Sequence, residues 1–258
     1  MKMEFNDLMD KITCMDCIDG LKLIPDNSID LVVTSPPYNL GKNYGIYRDN
    51  LTHQDYLIWT KSYLKEIFRV LKSDGRLCLN IAMDSSVNGR IPLYSDILQG
   101  ALLIGFNYNQ TIIWAEESLT SKTAWGSWMS ASAPQVLNPT ETIILLYKNV
   151  WKKRSNGETT ILKKEFIKWT TGIWRFNGDR HNIHPASFPI ELPDRCIKLF
   201  SYKGDIVLDP FIGSGTTAVA CRMLDRHFIG FEISPEYVKT ANKRLDSWMK
   251  QTKLEMLG

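Results

Sequence analysis

Cysteine is scarce: there are five in 258 residues, an odd number scattered along the chain. That argues against a disulfide framework. Metal-ligand patterns are scarcer still. Cys14 and Cys17 form one CxxC, and His181 and His184 are the only other close pair. A structural zinc site needs four ligands at short spacing, so no metal is expected and the cysteines read as reduced thiols. No apolar run approaches the ~20 residues that span a bilayer. The opening MKMEFNDLMD has acids where a signal peptide needs an apolar stretch. A cytoplasmic protein without a membrane partner is expected. Internal repeats and low-complexity tracts are missing as well. What is present is 44% hydrophobic and 23% charged residues with a net charge of +3. Such a chain buries a full core without staples and is neither disordered nor collagen-like.

The chain alternates apolar strands with amphipathic helices. Ile29 to Thr34 (IDLVVT) is β-branched and bounded by turn residues, so it reads as a buried strand. Thr52 is a plausible N-cap for a helix reaching Leu71, with Tyr56, Trp59, Tyr63, Ile67 and Val70 at helical spacing. Ser73-Asp74-Gly75 turns into a strand at Arg76 to Ile81, and Pro92 to Ile104 reads as a helix ended by Gly105. Further strands are expected at Lys11 to Met15, Gln110 to Ala115, Glu141 to Tyr147, Asp205 to Asp209 and His227 to Glu232. Helices are expected at Leu192 to Phe200, Thr216 to Leu224 and Pro235 to Met249. Alternation of this kind implies a mostly parallel α/β sheet.

Charge is uneven. Lys148 to Arg180 holds nine basic residues against three acids, a local +6, with Trp151, Phe166, Trp169, Trp174 and Phe176 interleaved. This pattern suits a polyanion bearing stackable bases, although a solvated helix face over core aromatics produces it too.

Two turns carry chemistry. In Val207-Leu208-Asp209-Pro210-Phe211-Ile212-Gly213-Ser214-Gly215-Thr216-Thr217 the glycines let the backbone pass close to a ligand at the end of a strand. The helix start beyond them offers free N–H groups. The third glycine of the dinucleotide fingerprint is missing, which disfavours a nicotinamide dehydrogenase. The next strand ends at Glu232, an acid placed to take both hydroxyls of a ribose. The second turn, Thr34-Ser35-Pro36-Pro37-Tyr38-Asn39, follows a buried strand. Consecutive prolines stiffen the backbone and remove two donors. The carbonyls of Ser35 and Pro36 and the Ser35 hydroxyl are acceptors for an exocyclic NH₂, and Tyr38 offers a ring on which a base stacks.

TSPPY together with LDPFIGSGTT resembles the S-adenosylmethionine-dependent amino-methyltransferases of DNA. The tetrad comes early and the cofactor loop late, the order of that family's circularly permuted beta class. His184-Pro185-Ala186-Ser187-Phe188-Pro189 is similar to the element preceding the family's cofactor strand, with Phe188 where lysine is common. The resemblance implies a Rossmann-like methyltransferase fold: a mostly parallel seven-stranded sheet, helices on both faces, circularly permuted, with an inserted DNA-recognition region. The catalytic domain is expected at 1–115, 141–147 and 181–258, and recognition insertions at 116–140 and 148–180. Ser35, Pro36, Pro37 and Tyr38 would be catalytic. Asp16, Cys17, Thr34, His184, Pro185, Asp209, Pro210, Phe211, Gly213, Gly215, Thr216 and Glu232 would line the S-adenosylmethionine pocket. In that pocket Asp16 would take the adenine amine, Thr216 the methionine carboxylate and Glu232 the ribose. Lys122, Trp125, Lys152, Lys153 and Arg154 are expected on double-stranded DNA. A cognate restriction endonuclease sharing the site is an expected partner, and the chain is expected to be a monomer or homodimer.

In the family, Ser at the first tetrad position accompanies N4 of cytosine and Asp accompanies N6 of adenine. Ser35 therefore favours cytosine, with adenine as the alternative. An RNA or protein-glutamine methyltransferase and a non-catalytic DNA-binding module are weaker readings.

Overall fold

The computed structural model describes residues 3–44, 47–85, 91–116, 126–136, 138–178 and 188–257. The main sheet contains β1 (Lys11–Cys14), β2 (Ile29–Thr34), β5 (Leu71–Ala82), β6 (Asn107–Ala115), β7 (Thr140–Tyr147), β8 (Ile173–Arg175), β9 (Ile206–Asp209) and β10 (His227–Glu232). A two-residue hairpin, β3 (Asn43–Tyr44) and β4 (Tyr47–Arg48), stands apart. The order is β1-β10-β9-β2-β5-β7-β6-β8, and only β7 runs against its neighbours. The tetrad strand β2 and the cofactor-loop strand β9, distant in sequence, pair directly, with Leu31 opposite Val207 and Val32 opposite Leu208. Along the chain the tetrad strand comes first and the cofactor-loop strand later, the order that the resemblance implies.

Strand β2 is buried at every position, as a central strand covered on both faces must be. Leu31 and Val33 pack to one side with α6 (Glu191–Phe200), α7 (Thr216–Met223) and α8 (Pro235–Leu257). Ile29 and Val32 pack to the other with α2 (Cys17–Lys22), α3 (His53–Val70) and α4 (Leu93–Ile104). Helix α3 begins as expected, with the Thr52 hydroxyl accepting from the Asp55 amide at 3.1 Å, and α4 ends at Gly105 in a positive-φ conformation.

One expectation needs correction. The sheet has eight strands rather than seven, because β8 adds an edge beside β6. Part of 148–180 packs on the catalytic core. Trp169, Trp174 and Phe176 lie in the main core, the Trp174 indole donates to the Trp169 carbonyl, and Arg195 of α6 lies over all three rings. Trp151 packs against that core, whereas Phe166 on α5 (Lys163–Trp169) is exposed, beside the charges of that helix.

Candidate active site

Parallel strands place their carboxyl ends together, so Cys14, Thr34, Ala82, Asp209 and Glu232 all finish at one end of the sheet. Both sequence motifs leave the fold there. Thr34 donates its hydroxyl to Asp209 Oδ1 at 2.7 Å, the Thr217 hydroxyl donates to Asp209 Oδ2 at 2.6 Å, and the Phe211 amide donates to Oδ1 at 3.1 Å. Helix α3 spans both turns as a shared wall. Its Tyr56 hydroxyl donates to the Pro37 carbonyl at 2.8 Å, while Trp59 and Tyr63 meet the Phe211 ring edge-on, with centroids 5.6 and 5.1 Å away.

The glycine turn has the geometry that its composition requires. Gly213 and Gly215 have φ of 50° and 80°, and a Cβ on Gly215 would meet the Ala241 Cβ at 2.9 Å. Glu232 closes the turn, accepting from the Gly213 amide at 3.1 Å and the Ser234 amide at 2.8 Å. Burial raises its pKa and these amides oppose the rise. A carboxylate has about four acceptor positions, and Glu232 keeps acceptor capacity for a ligand hydroxyl beyond its backbone amides. Asp16 caps α2 through Oδ1, accepting from Ile18 and Asp19, and its other oxygen is not used in the cap. These residues fit a nucleoside whose carbons approach the backbone closely.

Several cofactor-site expectations resolve differently. Asp209 is 1% exposed and Thr34 fully buried, and their polar atoms are spent on each other and on the loop, so they position the pocket rather than line it. The Thr216 hydroxyl is buried and accepts from Arg244 Nη1 at 2.9 Å. The hydroxyl keeps its own proton to donate. Cys17 is buried, and burial first and the Asp16 charge second push its thiol far up, so it is a neutral apolar surface. Pro210 is buried in the turn that leads from Asp209 into Phe211. His184 and Pro185 lie outside the described residues, as do Lys122 and Trp125.

The tetrad loop is set by residues that the sequence reading did not single out. Asp49 accepts from the amides of Asn39, Leu40 and Lys42 at 2.8, 2.9 and 3.0 Å. Asn39, at φ 57°, exchanges two side-chain bonds with the Leu51 backbone. Tyr38 is held by its hydroxyl, which lies 2.8 Å from Ser35 Oγ and donates to Glu141 Oε2 at 2.7 Å. Asn80 Nδ2 reaches both Tyr38 Oη and Glu141 Oε2 at 2.7 Å. Beside this cluster opens a cavity of about 160 Å³, lined in part by Met83, Asp84, Trp114, Glu116 and Glu141. Glu141 and Asn80 sit at ordinary strand positions, and nothing in their local sequence marks them.

Lys152, Lys153 and Arg154 lie away from the tetrad. They follow β7, which runs away from the tetrad end, and Tyr147 pairs with Arg76 while Glu141 pairs with Ala82. At ~3.3 Å per strand residue that separation is roughly 20 Å. Lys153 is buried between Asp205 and Asp30, its Nζ 2.5 and 3.4 Å from their carboxylates. Lys148 is buried too, with Nζ bonded to the carbonyls of Arg69 and Leu71. Lys152 and Arg154 are exposed, but at this far end, and the Arg154 amide is tied to Asp74. The tetrad end instead carries the β6–β7 loop, where Trp128 is 67% and Met129 88% exposed. Among the described residues there is no cluster able to hold a metal ion and no helix long and apolar enough to cross a membrane.

Known proteins share this arrangement. The Type II methyltransferase M.MjaVI of Methanocaldococcus jannaschii is 54% identical over 156 residues, covering 60% of this chain and 80% of that one. The Type II methyltransferase M.HpaI of Haemophilus parainfluenzae is 33% identical over 251 residues, covering 92% and 74%. A Thermus thermophilus protein described as a DNA modification methylase, solved in complex with S-adenosyl-L-methionine, superposes with a TM-score of 0.74 at 27% identity over 92% of this chain and 93% of that one. The N6/N4 family model described as DNA methylase matches residues 29–243, and with both motif turns meeting at one end of a permuted sheet the chain belongs to the N6/N4 DNA methylase family.

Proposed function

We propose that the chain transfers a methyl group from S-adenosyl-L-methionine to the exocyclic amine of a base flipped out of duplex DNA, at a specific site, with N4 of cytosine as the acceptor. The observation that carries this reading is the direct tie between the two motifs, the Thr34–Asp209 bond joining the tetrad strand to the cofactor loop. S-adenosyl-L-methionine supplies, when bound, a methyl group already activated on a sulfonium. The chain's own part is alignment. Gly213, Gly215, Phe211, Glu232 and Asp16 form the nucleoside cradle. Ser35 and the rigid Pro36-Pro37 backbone present acceptors to the amine, and Tyr38 presents its ring to the base. No strong general base is required, because the methylated exocyclic ammonium, attached to an electron-poor ring, is very acidic. Extruding the base costs a few kcal/mol, which contacts to the duplex must offset.

Ser35 favours cytosine by family correlation, and N6 of adenine is the second reading, since both amines present the same two hydrogens to Ser35. A cognate restriction endonuclease is the proposed partner, in keeping with the Type II relatives. Incubation with tritiated S-adenosyl-L-methionine and duplex DNA, RNA or protein tests the substrate class, and label confined to protein or RNA would overturn it. Mass spectrometry of digested nucleosides then identifies the base, with N4-methylcytosine expected. Ser35→Ala is expected to lower turnover by about tenfold or more and to leave cofactor affinity nearly unchanged. Equal loss of both would remove Ser35 from its role.

A further inference from the structure

The tetrad serine must accept a hydrogen bond from the target amine, yet a hydroxyl both donates and accepts. Something has to fix which way Ser35 points. Its Oγ lies 2.8 Å from Tyr38 Oη, and Tyr38 Oη lies 2.7 Å from Glu141 Oε2. A carboxylate can only accept, so the single phenol proton goes to Glu141. Tyr38 Oη then meets Ser35 with a lone pair, the Ser35 proton turns inward to it, and the outer side of Ser35 Oγ is left with lone pairs. Asn80 supports the same direction, since its Nδ2 supplies protons to Glu141 and to Tyr38. Its buried Oδ1 is left without a partner, the arrangement expected when a buried amide is turned to serve two acceptors.

We propose that Glu141 is a positioning residue which, as a carboxylate, sets the direction of the Ser35–Tyr38–Glu141 hydrogen-bond chain so that Ser35 presents lone pairs rather than a proton to the target amine. Protonated Glu141 would donate to Tyr38, Tyr38 to Ser35, and Ser35 would aim its proton at an amine that also donates. The chain would then oppose substrate. This rests on the reading of the tetrad as the amine-binding site.

The surroundings move the Glu141 carboxyl off its ordinary value. Burial pushes the Glu141 carboxyl up, and the bonds from Tyr38 and Asn80 and the Lys42 charge hold it down, while Glu116 adds to the rise. Asp84 lines the same cavity. The cross-strand neighbours, Ala82 on β5 and Trp114 on β6, carry no charge. Tyr38 is itself raised, by burial first and by Glu141 second, so it stays a neutral hydroxyl throughout.

The test is single-turnover methylation of plasmid DNA from a methylation-deficient host, with tritiated S-adenosyl-L-methionine, from mildly acidic to mildly alkaline pH. The wild-type rate is expected to fall on the acid side above the ordinary glutamate range. Glu141→Gln and Tyr38→Phe should each slow the rate by about tenfold or more at the alkaline plateau and abolish the acid limb. The double variant should be no slower than Tyr38→Phe alone, because both cut one chain. Glu141→Asp, which restores a carboxylate, should restore the limb even where stability suffers, and Tyr38→Phe keeps the ring and its packing. A Glu141→Gln enzyme with wild-type rate and an unchanged limb, or losses that multiply in the double variant, would overturn the proposal. Wild-type enzyme that labels no DNA would instead overturn the proposed function.

Discussion

Thr34 and Asp209 lie 175 positions apart in sequence, and their side chains meet at 2.7 Å in the buried floor of the site. Thr34 precedes the tetrad directly and Asp209 begins the glycine turn, so this bond sets the spacing between the two halves of the site. Thr34→Val keeps the shape and removes the donor. Leaving a buried carboxylate short of a partner costs about 1–3 kcal/mol. The variant is expected to lose that much in urea unfolding and to lose cofactor affinity and methylation together, unlike Ser35→Ala. Calorimetric titration with S-adenosyl-L-methionine alongside the unfolding curves checks it.

Asp209 also gives stability a pH dependence. Burial raises its pKa from 3.8 to about 6, against the opposing bonds from Thr217, Thr34 and Phe211. Between those values the folded chain holds a proton that the unfolded chain has released. The group's contribution is therefore fully present below the unfolded pKa and lost as pH rises through about 6. Asp209→Asn cannot ionise. Relative to wild type it should gain up to roughly 3 kcal/mol between acid and neutral pH, the linkage expected for a shift of about two units. Denaturation curves at both pH values measure the difference, and a pH-independent gap would contradict the buried charge.

Much of this was readable in advance where a signal is local. Thr52 as N-cap, Gly105 as helix end, and the buried run Ile29–Thr34 all follow from rules within one turn or strand. The two chemical turns were legible because proline and glycine constrain backbone wherever they stand. The tetrad's support was not. Glu141 and Asn80 act across strands β7 and β5, and no spacing rule connects them to Tyr38. Strand β8 has three residues, too few for a period, and its buried Trp174 sits between two exposed neighbours. Charge counting along the basic stretch ignores direction. Strand β7 is the one that runs backwards, and it carries Lys148 to Arg154 to the far end.

Gly215 tests the cofactor loop separately. Its φ of 80° strains any L side chain, and an added Cβ would lie 2.9 Å from the Ala241 Cβ on α8. Gly215→Ala must move α8 or the loop, and a cost of about 1–3 kcal/mol is expected for left-handed strain and overpacking. Thermal unfolding should show that loss, and cofactor affinity should fall further than in Ser35→Ala. A variant that binds S-adenosyl-L-methionine normally would show that the loop has slack which the contact with Ala241 denies.

The two ends of the sheet make opposite predictions for DNA binding. Lys153→Ala removes an ammonium from between Asp30 and Asp205, all three largely buried. Breaking a buried pair on one side costs about 3–5 kcal/mol, so this variant should be strongly destabilised. Lys152→Ala/Arg154→Ala should unfold like wild type. Both sets lie at the far end, so neither should change the slope of DNA affinity against salt, which counts phosphates neutralised. Trp128, exposed on the loop at the tetrad end, should behave in the reverse way. If its ring stacks on DNA, Trp128→Ala should weaken binding by about 1–3 kcal/mol with stability and salt slope unchanged. Fluorescence anisotropy of labelled duplex across a salt series distinguishes them. A reduced slope for Lys152→Ala/Arg154→Ala with an unaffected Trp128→Ala would place the DNA at the wrong end of the sheet for the tetrad to reach it.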